Sequence, residues 1–151
     1  MCGGMARPDV PEDAVQAFAH GQDIRDRTRR FACRVVDLCK ILHDAGGICR
    51  PLVPQLLASS TSVAANLEEA RAAESTRDFI SKCCISLKEC RETHVRLKVV
   101  ANCNIGPRQE VRALCAEAGE LVAIISAIVR NTKRNAATRA KRPRGPRISN
   151  S

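Results

Sequence analysis

Cys83, Cys84, Cys90 and His94 crowd into the stretch STRDFISKCCISLKECRETH, residues 75–94, and thiolate and imidazole are the groups that bind zinc or exchange electrons. Cys90 and His94, four apart, share a helical face, and Cys83 could add a third ligand from further back along it. Structural zinc sites pair their ligands at short spacings such as CxxC, which does not occur here. Cys83 and Cys84 would point about 100° apart on a helix, so bridging them would distort the backbone. The competing reading is packing: Cys83 and Cys90 share a stripe with Phe79, Ser86, Thr93 and Leu97, where a thiol serves as a small apolar group. Of the carboxylates, Glu89 and Glu92 are three apart on the outer side of the same helix, placed to pair with Lys88, Arg96 or a neighbouring subunit, and Glu68-Glu69 make no better acid-base pair. No Gly-rich phosphate loop, nucleophile elbow or HExxH appears. No catalytic residue, metal or cofactor is assigned.

The elements that position these residues are helices. From 23 to 45, Ile24, Phe31, Val35, Leu38 and Leu42 recur at helical spacing until Gly46-Gly47 ends the run. From 51 to 73, opened by Pro51, the stripe is Val53, Leu56, Ser60, Val63, Leu67 and Ala70. A third helix begins at Ser75-Thr76-Arg77-Asp78, where a hydroxyl can cap free N–H groups, and extends to about Cys103, roughly 40 Å. Asn104, Gly106 and Pro107 break it, and a fourth, from Pro107 to about Thr132, carries Val111, Leu114, Ala118, Leu121, Ile125 and Ile128. Short connections between helices of similar length predict an antiparallel up-down four-helix bundle, and nothing alternates with the period of a strand.

The 151 residues suffice for one domain. Nine cysteines form an odd set without an export signal, so reduced thiols and a cytoplasmic location are expected. With three Phe and no Trp or Tyr, the core has to be built from Leu, Val, Ile, Ala and Cys. The net charge of +9 is concentrated at the end: residues 133–151 hold Lys133, Arg134, Arg139, Lys141, Arg142, Arg144 and Arg147 and no acid. Such a block, with Pro143, Gly145 and Pro146, reads as a disordered basic arm. Residues 1–22 read as a loose lead-in, and 23–132 as the bundle. On the outer side of the third helix Cys84, Ile85, Val95 and Val99 form a second, broken apolar stripe that one bundle does not need, which predicts contact with another subunit.

Residues 61–100 add a resemblance. Ser62, Val63, Ala65, Asn66, Glu69 and Ala70 match a phrase S-V-x-A-N-x-x-E-A. Ser75, Asp78, Phe79, Ile80 and Lys82 match S-x-x-D-F-I-x-K, and Ile85, Leu87, Lys88, Glu89, Arg91, Glu92 and Thr93 match I-x-L-K-E-x-R-E-T. These phrases resemble the bacterial four helix bundle protein family, which includes proteins encoded in intervening sequences of ribosomal RNA genes and the accessory variability determinant (Avd) of diversity-generating retroelements. The resemblance implies an antiparallel bundle assembled as a homopentameric barrel, a non-enzymatic role, and, in the retroelement branch, partnership with a reverse transcriptase and nucleic acid. Val95 and Arg96 stand where relatives often carry an aromatic pair.

Together these readings predict an oligomeric accessory protein that binds RNA or DNA through phosphates and supports a reverse transcriptase, without membrane contact. The alternative is a protein-docking scaffold of the ribosomal RNA intervening-sequence type with no such partner. The basic arm is the first candidate for phosphate contact and Arg77, Lys82, Lys88 and Arg91 the second. The scarcity of aromatics argues against stacking of unpaired bases.

Overall fold

The computed structural model describes residues 23–141. Four helices follow in order: α1 Ile24–Ala45, α2 Leu52–Arg71, α3 Thr76–Asn102 and α4 Arg108–Ala140, with a short 3-10 turn at Gly47–Cys49 between the first two. Each packs on its sequence neighbours, and α4 closes the ring against α1, giving an all-α antiparallel four-helix bundle. No strand occurs among the described residues.

The helix ends follow from local chemistry. The Asp23 carboxylate accepts the Arg25 N–H at 3.1 Å, and Ser75 Oγ accepts the Asp78 N–H at 3.1 Å, each satisfying an otherwise free donor of a first turn. α3 ends in a Schellman turn. The Ile105 N–H reaches the Val100 carbonyl at 3.0 Å and the Asn104 N–H reaches Ala101 at 3.2 Å, with Asn104 left-handed at φ 53°. Gly106, at φ 74°, completes the turn where a Cβ would meet Leu38 and Leu42.

The core is the four predicted stripes meeting. Val35, Leu42, Val63, Leu67, Cys83, Cys90, Leu97, Leu114, Leu121 and Ile125 are fully buried. Phe31 and Phe79 are the largest buried side chains. Between α2 and α3 the interior is partly polar: Thr93 Oγ1 bonds Ser59 Oγ at 2.9 Å, and Ser86 donates to the Val63 carbonyl at 2.8 Å, so small hydroxyl residues are buried with partners.

One boundary differs from the sequence reading. The basic arm was expected to be disordered from residue 133, yet α4 continues through Ala140. Thr132 is buried and donates to the Ile128 carbonyl, and Asn135-Ala136-Ala137-Thr138-Arg139-Ala140 contains no breaker. Ala, Lys and Arg are good helix formers, and cations near a helix C-terminus are favoured by its dipole. The lead-in of residues 1–22 and Arg142, Arg144 and Arg147 lie outside the described residues.

Candidate nucleic-acid interface

The cysteine and histidine group resolves into packing. Cys83 and Cys90 are fully buried, and burial pushes both thiols up to about 12. Cys90 Sγ lies 3.7 Å from the Ala118 carbonyl of α4. The His94 ring lies against Gly119, where a Cβ would stand 3.4 Å from Cε1, and burial, helped by nearby Lys98, lowers its pKa. No group of three or more His, Cys, Asp or Glu among the described residues is arranged to hold a metal ion.

Of the carboxylates singled out earlier, Glu68, Glu69 and Glu92 are ordinary ion-pair partners, and Glu89 has no salt bridge among the described residues. Glu92 pairs with Arg96 at 3.1 Å, Glu68 with Arg25 and Arg71, and Glu69 with Lys82 across α2 and α3. Lys82, one of the second-choice phosphate contacts, is therefore held by a carboxylate, and its hydrogen bond to Glu69 raises its pKa.

Charge is sorted by face on α4. Its three acids, Glu110, Glu117 and Glu120, all bind α1: Arg34 Nη2 is 2.9 Å from Glu110, and Arg27 Nε is 2.6 Å from Glu117, with Glu120 on the same guanidinium. The Arg27 hydrogen bond holds the Glu117 carboxyl below its usual value, and the two glutamates raise the guanidinium's pKa. From Leu121 to the end of the sequence there are eight Lys or Arg and no acid. Lys133, Arg134, Arg139 and Lys141 are exposed on the last turns of the helix or at its cap, and Arg77, Lys88 and Arg91 are exposed on α3. No carboxylate lies within salt-bridge distance of Arg77, Lys88, Arg91, Lys133, Arg134 or Lys141 among the described residues.

The outer side of α3 presents the apolar stripe. Val95 is 59% exposed, Val99 46% and Ile85 41%, while Cys84 is only half-exposed and packs partly against the core. A shallow depression of about 360 Å³ opens beside Val95 between Arg91, Glu92 and Arg96.

The model of the 23S rRNA-intervening sequence protein family matches residues 21–127. The chain belongs to this family. A solved structure of an S23 ribosomal protein family member of unknown function, from Bacteroides thetaiotaomicron, matches this chain at 30% identity. The TM-score is 0.64, and the match covers 70% of this chain and 97% of that one. No curated protein matches. The family match stops at residue 127, so the candidate cations Lys133, Arg134, Arg139 and Lys141 at the end of α4 lie beyond it. No described helix of this intervening-sequence protein is long and apolar enough to cross a membrane.

Sequence reasoning found the cations of the arm but missed Lys98, Arg112 and Arg130, which are also exposed and have no carboxylate partner among the described residues. The signal was available for Arg112 and Arg130: they are eighteen residues apart, five full turns, and fall on one line of the fourth helix.

Proposed function

We propose that this intervening-sequence protein is a non-catalytic accessory factor that binds nucleic acid through phosphates and works as a homo-oligomer. The observation that carries the reading is the acid-free run from Leu121 onward, whose described cations Arg130, Lys133, Arg134 and Arg139 are exposed on α4. Lys and Arg at phosphates release condensed counterions, which gives sequence-tolerant binding that weakens steeply with salt. Assembly is supported by the exposed apolar side chains Ile85, Val95 and Val99 on α3, with Cys84 at their edge. A homo-oligomer, a pentamer in this reading, would bring several basic arms to one surface and raise affinity by avidity. The partner in this reading is a reverse transcriptase of a retroelement. Membership of the 23S rRNA-intervening sequence family supports the second reading, a protein-docking scaffold of that type with no reverse transcriptase partner.

The test uses the full chain with Lys133, Arg134, Arg139, Lys141, Arg142, Arg144 and Arg147 all changed to Gln. Fluorescence anisotropy against RNA and DNA should show tight, salt-sensitive binding by the parent and loss of most of it in the variant. Parent chains that bind neither nucleic acid at about 0.15 M salt would end the proposal. Recovery of a reverse transcriptase with the tagged protein at high salt would select the first partner; its absence would select the scaffold.

A further inference from the structure

The acid-free arm is not the whole of the cationic surface. Arg112, Arg130, Arg134 and Lys141 are spaced by eighteen, four and seven residues, which keeps them within about 40° of one line along α4. That line is about 43 Å long at 1.5 Å per residue. The positions between them on the same face are small: Ala116, Gly119, Ala123 and Ser126. Nothing bulky stands between the cations.

α3 supplies a second row. The contacts of His94 with Gly119 and of Cys90 with Ala118 set the antiparallel register of α3 on α4, and Lys98 acts electrostatically on Cys115. This register brings Lys98 beside Arg112 and puts Arg91 next to the small middle of the line. All six cations are exposed and none has a carboxylate partner among the described residues. Of the acids of α4, Glu110 and Glu117 lie on the opposite flank, held by Arg34 and Arg27, and Glu120, nearer the line, is neutralised by Arg27.

We infer that the outer face of α4, with the adjoining flank of α3, is a rigid track for the sugar-phosphate backbone of a double-stranded nucleic acid. The inference rests on the nucleic-acid reading above and extends the site from the arm, with which it shares Arg134 and Lys141, onto the folded body at Lys98, Arg112 and Arg130. A duplex is favoured because the track is straight and carries guanidinium and ammonium groups but no aromatic platform: both Phe residues of the described chain are buried. Arg91 shares a shallow depression with Val95, so the track borders the apolar stripe of α3, while its four α4 cations stand on a different helix from that stripe.

The deciding experiment compares three full-length proteins on matched RNA and DNA duplexes of about 24 base pairs and on one of the single strands, over a salt series. The track variant is K98Q/R112Q/R130Q, and the control, R30Q/K40Q/R50Q, removes the same charge from exposed positions elsewhere. Circular dichroism confirms that each is folded. The track variant is expected to bind duplex at least about tenfold more weakly than the parent at about 0.15 M salt, with the slope of log K on log salt reduced by about 2–3, while the control stays near the parent. Equal weakening by both variants would reduce the track to net charge and overturn it, as would a track variant that binds like the parent; in either case the nucleic-acid reading survives. A parent that prefers the single strand also overturns the duplex track, and a parent that binds nothing removes both proposals. The RNA and DNA arms tell which duplex is preferred.

Discussion

Replacing Arg27 by Met tests the charge sorting of α4 most directly. The guanidinium holds Glu117 with two hydrogen bonds, 2.6 and 2.9 Å, and also holds Glu120; Arg27 and Glu117 keep 24% and 22% of their side-chain surface in solvent. A hydrogen bond to a charged group contributes about 1.5–3 kcal/mol net, and fully exposed ion pairs about 0.2–1 kcal/mol. This arrangement lies between these limits, so R27M should cost about 1.5–2 kcal/mol. That is a fall of roughly 1 M in the urea midpoint for an m-value near the middle of the usual range. The pH dependence gives the sign. The folded pKa of Glu117 is lowered by Arg27, so its contribution is complete above the unfolded value of about 4.3 and is lost as pH falls through the lower folded value. Urea unfolding followed by circular dichroism should therefore show the full gap between parent and R27M at about pH 7 and a much smaller one at about pH 3. Adding E117Q to R27M should change little further. The reasoning would be falsified if the gap at pH 7 were below about 0.5 kcal/mol, or if it were equally large at pH 3, which would assign it to the packing of the arginine stem.

Two further outcomes follow from buried groups. Gly119→Ala should stabilise by about 0.5–1 kcal/mol through helix propensity, because its backbone is helical and the new Cβ would only touch His94; a loss of stability in thermal melts would show that the ring cannot yield. In the native protein iodoacetamide should label exposed Cys33 and Cys103 first and leave Cys83 and Cys90, both pushed up to about 12, unmodified until urea unfolds the chain. Peptide mass spectrometry reads the order, and early labelling of Cys90 would contradict its burial.

The bundle could be read from sequence because its signals are local. Gly46-Gly47, Pro51, Ser75 and Asn104-Gly106-Pro107 mark the breaks, and the apolar stripes between them become the core. Cys83 and Cys90 could be placed by the same periodicity. Arg27 and Glu117 could not be paired, since they are ninety residues apart and their meeting depends on how α1 and α4 slide on each other. The track was hidden for the same reason: Lys98 and Arg112 belong to different helices, and only the register fixed at Gly119 and Ala118 puts them side by side. The end of α4 was misjudged because charge was weighed above the helix propensity of Ala136, Ala137 and Ala140, which carries the chain one further stretch past Thr132.

That stretch changes the thermodynamics of any contact made there. A flexible arm that binds phosphate must first give up about 1–2 kcal/mol of backbone conformational entropy for each residue it orders. In Lys133–Ala140 that freedom is already lost on folding, and the separations between Lys133, Arg134 and Arg139 are fixed by the helix. In the proposed binding, the end of α4 would therefore act as a ruler, favouring partners whose charges match its spacing, where a loose arm would accept any anion within reach.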